Sequence, residues 1–371
     1  MLIVDAHQDL AWNMLSFGRD YTHSVAETRR IEAGGLAPIV NGDALLGWPE
    51  YQKGCVGLVF ASLFATPVRH CVGSWEHGLC YADSIQAARL YRTQLDVYKR
   101  LINDHPDMFA LVTTRSDLER VLAVWRGRNG EGTGQEDAVG HSASPVGLVV
   151  SMEGAECVRD PGELEAWWQH GVRLIGPAWS GNQFCGGTRE PGPLSPKGMA
   201  LLEHMGDLGF GLDLTHMDEQ AVLQALDIYP GALLASHSNA LALLKDHSDN
   251  RHLSDRVIDG ILERDGIIGI VPFNQFLKPG WRIGDRREEV SLEWVVAQID
   301  YICQKAGDAR HVGLGTDFDG GFGWQSVPSE INSIADLSKL APLLMEKGYP
   351  DEEIISVLGE NWIGLLKRIL P

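Results

Sequence analysis

Eight short runs rich in Val, Ile, Leu and Gly recur along the chain, separated by stretches with helical periodicity. The runs fall near residues 2–6, 55–63, 147–152, 172–177, 210–215, 232–236, 267–272 and 311–316. Near-continuous apolar runs of this length suit parallel strands covered on both faces, and the regular alternation with helices predicts a closed (β/α)8 TIM-like barrel. The chain of 371 residues, 44% apolar, is long enough for one such barrel with insertions. A single domain over 1–371 is expected, with no internal repeat.

Helix signals fill the gaps. Residues 83–103 carry Ile85, Leu90, Leu95, Val97, Tyr98 and Leu101 among polar positions. Asp218 and Ser254 read as N-caps, and Pro350-Asp351-Glu352-Glu353 opens a last helix running toward Asn361-Trp362-Ile363. Residues 127–145 read as a mobile surface loop. The stretches 10–50 and 275–290 are longer than simple connections, and long loops after barrel strands are where pockets are built.

The formal charge of −19 argues against nucleic acid or an anionic membrane as partner, since both select clustered Lys and Arg. No apolar stretch approaches the roughly 18 residues that span a bilayer. Met1-Leu2-Ile3-Val4 leads directly into Asp5 and reads as a first strand, not a signal peptide. The six scattered cysteines form no C-x-x-C pair, so reduced thiols and a cytoplasmic address are expected, with Cys71 and Cys80 able to pair only on export. A homodimer stays open.

Five runs end in groups that handle metals or protons. His7 and Asp9, two apart, project to one face of an extended strand, with Asp5 on the same face but deeper. Glu153 follows Val146–Val150, and His216 and His237 close two further runs. Each alone is a weak signal. Together, at the ends of four of the eight runs, they supply five ligands at the C-terminal end of the barrel, enough for two divalent ions if Glu153 bridges them. Zinc suits this nitrogen and oxygen mixture, as would manganese or cobalt. Glu156 competes with Glu153 as bridge but lies three residues further past the strand. Asp317, ending the last run, could handle a proton, and Asp319 on the same face could brace its loop. His311, six residues before Asp317, belongs to the far end of the barrel. His23, His70, His77, His105, His141, His170, His204 and His247 lack a strand-end context.

At these residues the chain resembles the renal (membrane) dipeptidase family, the M19 metallopeptidases of the amidohydrolase superfamily. Asp5-Ala6-His7-Gln8-Asp9-Leu10 is similar to the family's D-G-H-N-D-L, Met152-Glu153-Gly154 to its E-G-G, and Ser236-His237-Ser238-Asn239-Ala240 to S-H-S-x-A. Gly315-Thr316-Asp317-Phe318-Asp319-Gly320 is similar to G-x-D-F-D-G. The resemblance implies a binuclear zinc dipeptidase that cleaves small dipeptides with a free carboxylate through a metal-bridging hydroxide. His7 and Asp9 would hold one zinc, His216 and His237 the other, and Glu153 would bridge. Asp317 would relay a proton, and Arg251 would pair with the substrate carboxylate, a role that suits a planar guanidinium. A solvated residue before a helix is the plainer reading of Arg251.

One position departs from the pattern. Where the family commonly has T-H after its fourth strand, with the His stabilising the oxyanion, this chain has Trp179. An indole donates one hydrogen bond and carries no charge. Losing one oxyanion donor costs about 10²–10³ in rate. Trp179 would then shape a different pocket, with Asn182 or a metal holding the oxygen. Another small amide, such as an N-acyl amino acid or a lactam, is the alternative substrate, and a non-catalytic metal-binding homologue the alternative class.

Overall fold

A computed structural model describes residues 1–128, 144–244 and 249–371. Eight parallel strands appear where the apolar runs predict them: β1 (Ile3–Gln8), β2 (Val56–Leu63), β3 (Val146–Glu153), β4 (Val172–Gly176), β5 (Gly211–Asp213), β6 (Leu233–Ala235), β7 (Ile267–Ile270) and β8 (Val312–Leu314). Each pairs with its sequence neighbour, and β1 pairs with β8 at Asp5 and Leu314, which closes the barrel. The strands are buried throughout apart from Glu153 at the tip of β3, so the apolar runs are explained by cover on both faces.

A further strand, Phe109–Leu111, pairs with Val146–Leu148 on the half of β3 that precedes its pairing with β4 at Val150–Glu153. Three residues are too few to announce themselves by pattern. Residues 10–50, expected as a long loop, fold instead largely into helices at Leu10–Phe17, Val25–Glu32, Ala37–Val40 and Trp48–Gly54. The stretch 275–290 contains only short 3-10 turns. Most of the predicted loop 127–145 lies outside the described residues, as do His141 and His247; Gly127 and Arg128 end the helix Arg115–Arg128.

The helix Ser84–Asp104 starts at Asp83, whose carboxylate accepts from the Gln86 amide. Asp218 caps Glu219–Ile228 and Ser254 caps Asp255–Glu263 in the same way, each filling an orphan N–H with a side-chain oxygen. The last helix begins at Asp351, passes through a π turn at Ser356–Glu360 and continues to Ile369. The turn seats Trp362 against β8, where its indole donates to the Leu314 carbonyl at 3.0 Å. Among the described residues no helix is long and apolar enough to cross a membrane.

Cysteine chemistry departs from expectation. Cys71 and Cys80 form a disulfide that closes an excursion after β2, while Cys55, Cys157, Cys185 and Cys303 are free. Their spacing of nine residues carries no pairing signal, whereas the fold brings Thr66–Pro67 alongside Cys80–Tyr81 as a two-stranded ribbon.

Candidate metal centre

The strand ends converge as their order predicts for a barrel. Glu153 turns its two oxygens in different directions. Oε2 lies 3.5 Å from His7 Nε2, and Oε1 lies 2.9 Å from His216 Nε2 and 3.7 Å from His237 Nε2. Asp9 Oδ1 and Asp317 Oδ1 stand 3.7 and 3.9 Å from the same His7 nitrogen. Two ligand groups result, His7–Asp9–Glu153 and Glu153–His216–His237, which share the glutamate; Asp317 closes a third with His7 and His237.

These contacts test whether cations fit. His7 Nε2 is buried and makes no hydrogen bond, although three carboxylate oxygens surround it at distances too long for one. His216 and His237 point their Nε2 atoms at each other, 3.0 Å apart. Such an arrangement of acceptors facing inward is what divalent ions require. The outward nitrogens are already engaged: His216 Nδ1 meets Thr188 Oγ1 at 2.9 Å and His237 Nδ1 meets Ser236 Oγ at 2.8 Å. Such partners fix ring orientation and tautomer, leaving Nε2 for the metal.

Electrostatics agree with that demand at His216 and His237. Burial and then the Arg251 charge push His216 down to about 4, and burial with the His7 and Arg251 charges holds His237 well below its ordinary value. Both are therefore neutral, the form that binds metal. His7 moves the other way: burial opposes its charge, but Glu153 and Asp9 overcome burial and raise it. Glu153 is held well below the usual carboxylate range because His7 and His216 outweigh burial. Asp317 is raised well above that range, chiefly by burial, with Asp9 and Glu153 adding repulsion against the pull of His7.

The supports come from elements distant in the sequence. The Ser62 hydroxyl on β2 donates to Asp9 Oδ1, and Tyr91 OH donates to the Glu153 and Gly154 carbonyls at 2.7 and 3.0 Å. Asp5, behind the ligands, accepts from the Thr316 amide and hydroxyl at 2.7 and 2.6 Å, which ties β1 to the end of β8. His216 and Asp317 both adopt left-handed backbone, with φ of 70° and 56°. Such conformations cost about 1–3 kcal/mol and concentrate at functional sites. A Cβ on Gly320 would lie 2.0 Å from Asp317 Oδ1, so only glycine leaves that carboxylate its place. Asp319 braces the loop, accepting from the Leu45 amide at 2.8 Å and facing Arg19 Nη1 at 3.0 Å. His311 is held at the opposite end by the Gly266 carbonyl.

Arg251 is buried beside the cluster. Its Nη2 donates to the His237 carbonyl at 2.8 Å and Nη1 to Ser238 Oγ at 3.3 Å, over the Phe276 ring. Trp179 packs edge-on against Phe64 and His70, with its ring 6.2 Å from that of His216, so it walls the centre.

The Asn182 side chain is engaged within the protein. Its Nδ2 donates to Glu156 Oε1 and to the Pro177 carbonyl at 3.0 and 2.8 Å, while its oxygen accepts from the Phe184 and Cys185 amides. Both ends of the amide are engaged, by Glu156 after β3 and by its own loop after β4, which leaves neither of its N–H groups turned toward a substrate oxygen. Glu156, its partner, stands apart from the ligand groups. Sequence reasoning missed Ser62, Tyr91, Thr188 and Ser236. A lone Ser in the apolar run Val56–Leu63 was a legible signal; Thr188 and Tyr91 carried none.

Burial raises the Glu156 carboxyl to about 7, against hydrogen bonds from Asn182 and Tyr81. The unfolded chain holds this proton less tightly, so the stability it contributes is full below about pH 4 and lost as pH rises through about 7. Glu156→Gln cannot ionise. Its stability advantage over the unmodified protein should grow by about 1–3 kcal/mol between about pH 5 and pH 8, read from urea midpoints.

Comparison with known proteins places this geometry. The family model for membrane dipeptidase (peptidase family M19) matches residues 134–369. An uncharacterized Klebsiella pneumoniae protein from the pqqA 5′ region is 30% identical over 286 residues, 74% of this chain and 94% of that protein. Dipeptidase tcpJ of Claviceps purpurea is 25% identical over 303 residues, 78% of this chain and 62% of its own length. A Rhodobacter sphaeroides metallopeptidase, crystallised with a phosphinate mimic of the dipeptide L-Ala-D-Ala, shares the fold with a TM-score of 0.75 at 23% identity, over 100% of this chain and 99% of that one. The chain therefore belongs to the M19 membrane dipeptidase family and is a metal-dependent peptide-bond hydrolase.

Proposed function

We propose that the protein cleaves small dipeptides bearing a free C-terminal carboxylate, with two divalent cations, zinc foremost, as cofactors. The observation that carries this reading is the division of Glu153 between two ligand groups. His7 and Asp9 would hold one ion, His216 and His237 the other. Ions bound there would lower the pKa of a water and polarise the amide carbonyl. Asp317 faces the same space and is placed to pass a proton to the departing amine. Arg251, with further N–H groups beyond the two already engaged, is placed to grip the terminal carboxylate. Tyr91 and Ser62 keep Glu153 and Asp9 in position.

The test compares dipeptides with their C-terminal amides. The acids should be much better substrates, and Arg251→Ala should raise KM for the acids by about 10²-fold while leaving the amides little changed. Equal hydrolysis of acids and amides by the natural protein would sink the reading. The wall formed by Trp179 beside His216 favours a second reading, in which another small amide such as an N-acyl amino acid or a lactam is the substrate. Trp179→His should raise dipeptide turnover on the first reading and lower the natural activity on the second.

A further inference from the structure

Beyond the residues that surround the metal centre, and among the described residues, one cation at its rim has no carboxylate partner. Arg189 occupies the tip of a hairpin whose strands, Cys185–Gly187 and Glu190–Leu194, pair antiparallel after β4. The residue before it, Thr188, touches His216 Nδ1, so the tip is anchored on a ligand. Arg189 itself is exposed, and its guanidinium lies 5.8 Å from the Trp179 ring centroid, the same ring that walls His216.

The surroundings keep this charge unpaired. The adjacent carboxylate, Glu190, is gripped at both oxygens by Arg69, each at 2.7 Å, and touched by His70 Nε2 at 3.0 Å. Glu190 is consequently held down at about 2, fully ionised but turned away. Among the described residues no carboxylate lies within ion-pair distance of Arg189, in a chain with a formal charge of −19.

The backbone is held as firmly. Arg189 has φ of 69°, a left-handed conformation that a non-glycine residue adopts at a cost. Its amide donates to Asn250 Oδ1 at 2.9 Å, and Asn250 in turn donates to the Gly187 carbonyl and Asp218 Oδ2. Asn250 immediately precedes Arg251. One asparagine thus fixes the hairpin tip to the segment carrying the second arginine. Covering an indole would not require a rigid, strained tip or the diversion of the neighbouring acid.

We propose that Arg189 is a specificity-determining residue that binds a second carboxylate, so that the preferred substrates are dipeptides with an aspartate or glutamate side chain. The proposal rests on the dipeptidase reading above. The chemistry is a charge-assisted, bidentate hydrogen bond to a carboxylate, for which the isosteric amides of Asn and Gln are the natural control.

The experiment measures kcat and KM on Ala-Asp, Asp-Ala, Ala-Glu and Glu-Ala against the matching Asn and Gln dipeptides. The natural protein should prefer at least one acid over its amide by about tenfold, through KM, with the preference weakening as salt rises. Arg189→Gln should bring acid and amide within about twofold while leaving the amide substrates and metal content unchanged, and Arg189→Lys should keep part of the preference. Ready cleavage of neutral dipeptides with no acid preference, or a preference that survives Arg189→Gln, would overturn this inference alone. Failure to cleave any dipeptide would remove the dipeptidase reading and this inference with it.

Discussion

Glu153→Ala should leave the purified protein with well under one metal ion per chain, where the unmodified protein should carry about two. The size of the loss follows from the geometry. Each oxygen of Glu153 faces a different ligand group, so one substitution takes a ligand from both. By contrast, Asp9→Ala should mainly empty the His7 side, because Asp9 belongs to that group alone. Metal analysis on folded protein, with circular dichroism to verify folding, separates the two outcomes. Full metal content in Glu153→Ala would show that the two oxygens are not the shared ligand. Glu156 is not a ready replacement: Asn182 and Tyr81 hold its carboxyl elsewhere.

Asp317→Asn should retain both ions and an unchanged thermal midpoint, yet turn over substrate about 10²-fold or more slowly. The asparagine side chain has the same outline, so it satisfies the tight space left by Gly320. Asparagine also tolerates the left-handed backbone at this position. What it cannot do is accept and return a proton. The decisive measurement is single-turnover cleavage on metal-replete protein. A variant with near-normal turnover would remove Asp317 from the chemistry, and one that lost its metals would make it a ligand.

How much was legible depended on what kind of force acts at each residue. Strands such as Val146–Glu153 are covered on both faces, so burial selects apolar residues continuously and the run is visible without any structure. The candidate ligands were visible because each breaks such a run at its end. His7 and His237 are imidazoles where the strand pattern would otherwise continue. Phe109–Leu111 was not visible, since three residues carry no period. Nor was the commitment of Asn182, whose four hydrogen bonds depend on where a turn places Glu156, Pro177, Phe184 and Cys185. Cys71 and Cys80 read as a pair able to join, but whether they do depends on proximity, which is a property of the folded path between the two cysteines. Thr188 reaches His216 through a hairpin whose pairing no local propensity announces.

The bond from Asp5 to Thr316 spans 311 positions of sequence and lies at the seam where β1 meets β8. His7 and Asp9 belong to the first strand end made during synthesis, and Asp317 to the last. A chain that folds as it is made therefore holds His7 and Asp9 first, gains Glu153, His216 and His237 in turn, and acquires Asp317 only after the last barrel strand. The pairing of β1 with β8, and the position of Asp317 beside His7, must wait until β8 has been made. Closing so long a loop is slow, and it places the seam late in folding. Proteolytic nicking beside β1 or β8 should thus abolish activity before it unfolds the middle of the barrel, because the first and last barrel strands are stitched together beside the candidate metal centre.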